Sequence, residues 1–344
     1  MKAKLVIYDV SPYIYAAANV SKYNTKYSNN FPVGGIQYLM KYIAYDLNSR
    51  NDVVLCFDSK SFRKQIYPQY KAGRKVDYSV YAQLEFLYDC LPSFGITCHK
   101  VNGLEADDLI YNVMEANRGE FLNIEIRGTD YDLAHNIIRP NECFVPATTA
   151  VNKITSLNFS EAFYKDVKIL YNTIATYKVF TGDKSDNIPP FTSQKGMSGI
   201  TLYNHFCKTI LNNKSGLSLE VIRSRKFLEN YITAMGSYFT MVDRSALKLN
   251  MDLVFPKLVT GVDFKETCNY NSVNLNELAA FFTLTKDTVS RSTLDLGYKQ
   301  ASDALVQKMI VLGKELRTGE FAADRNKPYI SPSVNTRLVN MKSF

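Results

Sequence analysis

Apolar and polar positions change period repeatedly along the chain. Residues 4–9, Lys-Leu-Val-Ile-Tyr-Asp, form a short apolar run that ends on an aspartate and predict a buried strand. Pro12 then opens a helix over 13–18. Residues 21–30, rich in Asn, Ser, Tyr and Lys, predict a surface loop. Ile36, Leu39, Met40, Ile43 and Leu47 repeat at helical spacing across 33–48. Residues 52–58 give a second strand, again closing on an aspartate. A helix over 78–91, a third strand over 96–101, a helix from Ala106 and a fourth strand over 123–127 follow. This alternation predicts an α/β fold with a mainly parallel central sheet flanked by helices. Short strands or a hairpin over 141–152 and a helix over 159–180 come next. A Pro-, Gly-, Ser- and Thr-rich passage over 189–199 then leads into a helix over 200–211. From Ser218 onward the spacing is helical, over 219–235, 237–249, 274–284 and 301–316, with an extended tail over 325–344. A domain border near Asp186 therefore separates a core, 1–186, from a helical domain, 187–344.

The acids in this pattern are unevenly placed. Ligands in open α/β sheets bind at the carboxyl ends of strands, and Asp9, Asp58 and the pair Asp130/Asp132 all fall there. Glu105, Asp107 and Asp108 crowd the start of the helix that continues through Leu109, Ile110, Val113 and Met114. A helix dipole stabilises one or two acids in a first turn. Three repel, since two like charges ~4 Å apart at an effective dielectric of ~20 cost about 4 kcal/mol. A cation among them relieves that cost. Asp183 and Asp186, three residues apart, point the same way from a turn or helix start. Nine carboxylates without His or Cys select a hard cation, Mg²⁺ first with Mn²⁺ able to substitute. Nine also exceed what one Mg²⁺ can use. Two ions are the economical reading, an arrangement that supports phosphodiester hydrolysis.

Charge sharpens the picture. The chain of 344 residues carries a net charge of +8. Of its 33 acids nine are in this set, so the other 24 face 41 basic residues, a balance of +17. A basic surface around an acidic centre suits a metal-dependent enzyme acting on a polyanion. Residues 61–75 interleave Arg63, Lys64, Lys71, Arg74 and Lys75 with Tyr67 and Tyr70, the mixture that grips single strands. The six cysteines are scattered without a Cys-x-x-Cys pair, and three isolated histidines do not make a zinc site. No apolar run is long enough to span a membrane, and the first residues do not read as a secretory signal, so a cytoplasmic protein is expected.

The order of strand-end Asp9, Phe57-Asp58, Arg63…Tyr70-Lys71-x-x-Arg74, Glu105-Ala106-Asp107-Asp108, Thr129-Asp130-x-Asp132 and Gly182-Asp183-x-x-Asp186-Asn187 resembles the 5′-nuclease (flap endonuclease) superfamily. It is most similar to the stand-alone phage enzymes and to the 5′-exonuclease domain of bacterial DNA polymerase I; for a phage-encoded chain the compartment would be the host cytoplasm. The resemblance covers about residues 4–210 and implies a PIN-like core. It implies that Asp58, Glu105, Asp107 and Asp108 hold a first Mg²⁺ and that Asp130, Asp132, Asp183 and Asp186 hold or orient a second. Asp9 would act through water. Residues 60–92 would form an arch or gateway, in which Lys71 and Arg74 serve the scissile phosphate and Arg63, Tyr70 and Lys75 contact nucleic acid.

The resemblance also implies a helix–three-turn–helix over 187–211, binding duplex backbone through Lys195, Gly196, Ser198 and Gly199. Ser198 and Ile200 stand where the family carries a second Gly and a Lys, which leaves open the potassium ion that often sits in this turn. The implied activity is two-metal 5′→3′ exonuclease or flap endonuclease cleavage of DNA, at a 5′ flap, a nick or a 5′-ended duplex, and of RNA primers in RNA–DNA hybrids. A monomer is expected, working in trans with replication proteins. Two other readings compete. An aspartyl-phosphate phosphatase needs a second acid two residues after its nucleophile, where Asp9 is followed by Ser11. PIN-like ribonucleases are generally shorter and lack the module after Asn187.

Overall fold

The structure is a computed structural model and describes residues 1–18, 31–146, 153–156, 173–212, 216–265, 267, 273 and 296–321. The chain gathers into two units of interleaved segments. Met1–Lys60, Val76–Phe121 and Leu258–Phe344 make up the first, and Ser61–Lys75 with Leu122–Lys257 the second.

In the first unit β1 (Lys2–Asp9), β2 (Asp52–Cys56) and β3 (Thr97–His99) run parallel in the order β3-β2-β1. Leu5 to Tyr8 and Val53 to Cys56 are fully buried, as expected of parallel strands covered on both faces. Asp9 pairs with Cys56 and Cys56 with His99, so the carboxyl ends of the strands are level. Asp9 and Asp58 therefore leave the sheet on the same edge. The helix Gly34–Asn48 has no side-chain cap at Val33. Gln83, buried on the helix Tyr78–Cys90, instead accepts from the N–H groups of Gly35 at 2.9 Å and Ile36 at 3.2 Å. Gly35 permits this approach: a Cβ there would lie 2.6 Å from Ile14 and 2.8 Å from the Gln83 oxygen. A later segment closes over the unit, where Asn112 accepts from Val259 N–H and Asn117 donates to Phe264 O.

In the second unit β4 (Phe121–Gly128) pairs in parallel with β5 (Glu142–Pro146), and β5 pairs antiparallel with β6 (Ile154–Thr155). The fold is thus a mostly parallel sheet flanked by helices. Helix Ile174–Thr181 is followed by a loop and then helix Gly199–Asn212. The two helices touch at Gly199, where a Cβ would fall 1.9 Å from the Phe180 carbonyl oxygen. Asn250 on helix Met241–Val254 donates to Val179 O and Pro189 O, tying the loop and the first helix to a third.

Two predicted helices differ from the observed ones for a capping reason. The helix expected over 219–235 is two, Leu219–Ile222 and Arg225–Ala234, because Ser218 and Ser224 each accept from the N–H three residues on and start a new helix. The helix expected over 237–249 begins instead at Met241, where Thr240 and Asp243 form a reciprocal capping box, and it continues to Val254. Of the helix expected over 159–180, the part before residue 173 lies outside the described residues. The loop over 21–30, the helix over 274–284 and the tail over 325–344 lie outside them too.

Candidate metal and nucleic-acid site

Five of the nine acids belong to the first unit. Asp9 closes β1 and is 5% exposed. Asp58, just beyond β2, accepts from Ala106 N–H at 2.9 Å through one oxygen and from the Ser11 hydroxyl at 2.6 Å through the other. Ala106 opens helix Ala106–Asn117, so Asp58 sits at that helix's positive end. Glu105 is its N-cap, and Glu105 and Asp108 form a capping box in which Asp108 accepts from Glu105 N–H at 3.1 Å. Asp108 is fully buried and Asp107 half-buried. Helix capping thus positions three of these carboxylates, and sequence spacing alone does not reveal that Asp58, 48 residues away, joins them.

The other four belong to the second unit. Asp130 follows β4 and caps a 3-10 turn, Tyr131–Asn136, accepting from Asp132 N–H. Asp132 and Asp183 are bridged by the ammonium of Lys178, which contacts both carboxylates. Asp183 also accepts from the N–H and hydroxyl of Ser185. Burial alone would push the Asp183 carboxyl up, but the hydrogen bonds from Lys178 and Ser185 hold it below the usual range. Burial opposes the charge on Lys178 as well, yet Asp132 and Asp183 outweigh it and raise the ammonium. Two carboxylates share this single cation, so a surplus of negative charge remains. Burial first and then Asp130 push Asp132 up to about 7 against the pull of Lys178.

Asp186 is held differently. Its carboxylate accepts from Arg74 at 2.5 Å and from the Tyr70 hydroxyl at 3.2 Å, with Lys71 Nζ 3.7 Å away. Its backbone carbonyl accepts from Lys71 N–H, and Asn187 donates to Gln69 O. The basic segment is therefore folded onto Asp186 and Asn187. Lys75 is exposed. Two nucleic-acid candidates, Arg63 and Tyr70, are buried. Arg63 is 3% exposed and donates to Leu253 O and Phe255 O, capping the end of helix Met241–Val254. Tyr70 is 3% exposed and packs with Ile188 and Leu253. Carbonyls at a helix end can claim a guanidinium from a basic run, and no local pattern marks which one.

The turn before helix Gly199–Asn212 carries the remaining candidates. Gly196 has φ +81° and closes a turn on Ser193, while Ser198 caps the helix by accepting from Thr201 N–H. Lys195 is exposed and donates to Ser237 O. Gly199 is buried, and the close approach to Phe180 accounts for its lack of a side chain.

Asp243 anchors this turn and was not singled out by sequence. It is 2% exposed and accepts from Gln194 N–H, Thr240 N–H and the Thr240 hydroxyl at 2.8–2.9 Å. Burial pushes its carboxyl up, but these hydrogen bonds outweigh that and hold it low. Asp243→Ala is expected to cost about 1–3 kcal/mol. Because the folded pKa is depressed, that difference is complete above about pH 4 and is lost as pH falls through the lowered value. Denaturant titrations at neutral and acidic pH check this; an equal loss at both would contradict it.

The donor set is oxygen-only. Among the described residues no three His, Cys, Asp or Glu side chains close on a common point in the manner of a preformed multidentate metal cage. Mg²⁺ does not require one, being held by one or two carboxylates with several waters. The Asp132–Asp183 pair already embraces a cationic ammonium, so the residues present fit a hard cation.

The first unit thus carries acids at the carboxyl ends of its strands, and the second a basic segment folded onto Asp186. Residues 4–164 match the family model described as 5′-3′ exonuclease, N-terminal resolvase-like domain. Over those residues the chain is similar to the 5′-nuclease superfamily, and curated 5′-3′ exonucleases match it as well. It is 26% identical over 295 residues to the 5′-3′ exonuclease of Buchnera aphidicola subsp. Schizaphis graminum, covering 80% of this chain and 96% of that one. To DNA polymerase I of Caldicellulosiruptor bescii it is 28% identical over 193 residues, 54% of this chain, and it spans only 22% of that polymerase. Among solved structures, T5 5′-exonuclease with bound zinc aligns at a TM-score of 0.49 and 14% identity, covering 90% of this chain and 99% of that one. A likeness at that level says nothing about chemistry. No described helix is long and apolar enough to cross a membrane.

Proposed function

We propose that this chain is a divalent-metal-dependent 5′→3′ exonuclease and flap endonuclease that hydrolyses DNA, and RNA primers in RNA–DNA hybrids. The observation that carries the reading is the placement of Asp9 and Asp58 at the level carboxyl ends of β1 and β2, with Asp58 bonded to the helix start that Glu105 and Asp108 cap, inside a stretch that matches the 5′-3′ exonuclease family model. Asp58, Glu105, Asp107 and Asp108 would hold one Mg²⁺, with Asp9 reaching it through water. Asp130, Asp132, Asp183 and Asp186 would hold or orient a second. Such ions offset phosphate charge and acidify a bound water at neutral pH. The protein's own part is positional. Ser11 and Ala106 N–H fix both oxygens of Asp58, and Ser185 fixes one oxygen of Asp183. Lys71 and Arg74 offer cationic donors to a phosphate once released from Asp186. Residues 187–344 are proposed to bind duplex DNA, with the turn at 193–198 presenting Lys195 and backbone N–H groups to phosphates. Replication proteins acting in trans complete the reading.

Labelled 5′-flap, nicked duplex, 5′ single strand and RNA–DNA hybrid, each with and without Mg²⁺, test it. Metal-dependent release from the 5′ end is expected, with Mn²⁺ substituting. Cleavage of none of the four, or turnover of a simple phosphomonoester in their place, would reject it in favour of the phosphatase reading.

A further inference from the structure

Lys178 has no role in the sequence pattern above, yet it occupies a singular position. It lies in the last turn of helix Ile174–Thr181, five residues before Asp183, and its side chain is 13% exposed. From there its ammonium reaches Asp183 and also Asp132, 46 residues away in sequence. Asp183 is 11% exposed, and the flexible Lys stem is the element that can yield. Two carboxylates that one ammonium can touch are close enough to repel strongly when it is absent. The same two oxygens, Asp132 Oδ2 and Asp183 Oδ2, are those a hard cation would use at this pair.

We propose that Lys178 is an internal counterion for Asp132 and Asp183: it holds the pair together in the metal-free protein, and a divalent cation binding there must displace it. Lys178 is then a positioning residue that sets metal affinity from within. The inference rests on the metal-dependent reading above. Two consequences follow from the geometry. The metal-free fold is spared the repulsion of an empty acidic pair, and the ion at this pair binds more weakly than bare carboxylates would hold it. Lys178 shares no hydrogen bond with Asp186, whose cations come from Arg74 and Lys71, so the effect is confined to Asp132 and Asp183.

Mn²⁺ binding to the full chain, followed by electron paramagnetic resonance or calorimetry, tests this with Lys178→Met, Lys178→Gln and the charge-conserving Lys178→Arg. Removal of the ammonium is expected to tighten the weaker Mn²⁺ site on the order of tenfold. It should also lower the melting temperature without metal and enlarge the rise on adding Mn²⁺. Lys178→Arg should behave as the unaltered protein. Should Lys178→Met fold only with Mn²⁺ present, that too supports displacement. Unchanged or weaker Mn²⁺ binding in Lys178→Gln would overturn the proposal, as would a melting loss that Mn²⁺ does not restore. Cleavage by the unaltered protein separates the two readings. If it cuts with Mg²⁺ while the variants bind Mn²⁺ as before, only the role of Lys178 falls; if it does not cut, the nuclease reading fails.

Discussion

Asp183→Ala is expected to lower Mg²⁺-dependent cleavage of a 5′ flap by at least about a thousandfold, equivalent to roughly 4 kcal/mol of transition-state stabilisation. Binding of the same flap in Ca²⁺ should change little. Asp183 combines the features a metal ligand needs: an ionised carboxylate held by Ser185 and a position facing a second carboxylate across a cation. The loss should fall on chemistry rather than folding. The turn that carries Asp183 is closed by its backbone, with Asp183 N–H donating to Ile188 O and Ile188 N–H to Asp183 O, both intact in the variant. Lys178 keeps Asp132 as a partner. Asp130→Ala should lose cleavage comparably, although it acts through Asp132, whose N–H it accepts. Cleavage persisting in both variants would remove these acids from the site. Loss of flap binding in step with cleavage would instead make them part of the docking surface.

How far the fold could be read beforehand depended on the range of the forces involved. Strands β1 and β2 were legible because their apolar runs are uninterrupted and end on Asp9 and near Asp58, and parallel strands buried on both faces leave that signature. Helix starts were legible only where the cap was recognised. Thr240-x-x-Asp243 and Ser224 are local signals that apolar spacing overran, so one helix was expected in place of two and another began too early. The candidate acids were visible as types and spacings, and the structure adds what spacing does not carry. Asp58 caps a helix 48 residues on, Lys178 reaches Asp132 across 46, and Arg74 reaches Asp186 across 112. Such pairs are set by tertiary packing and leave no periodic trace. Arg63 is the opposite case. A charged residue in a basic run reads as solvent-facing, but two backbone carbonyls at a helix end compensate its burial.

Lys71→Ala is expected to reduce kcat by about 10²–10³-fold, the scale for removing one donor aimed at developing charge. Flap affinity should weaken by less than about tenfold. The asymmetry comes from the surroundings of Lys71 and Arg74. Arg74 is 55% exposed, and a solvent-facing cation contributes mainly to encounter and docking. Lys71 is 15% exposed, with its ammonium 3.7 Å from Asp186 and 4.9 Å from the Tyr70 ring, so its charge is less screened and its direction is set. Its backbone is in the left-handed region at φ 52°, held by its N–H donating to Asp186 O. Alanine there bears the same conformational cost as lysine, on the order of 1–2 kcal/mol, so the turn persists and the change removes only the ammonium and its stem. Lys71→Gly relieves that strain as well and serves as the control. A glycine variant matching the alanine variant in kcat assigns the loss to the charge, whereas recovery in glycine assigns it to the backbone. Arg74→Ala should lose affinity and kcat together and by less. If Lys71→Ala instead loses both in equal measure, Lys71 is a docking charge, and the donors that meet the scissile phosphate must be sought elsewhere.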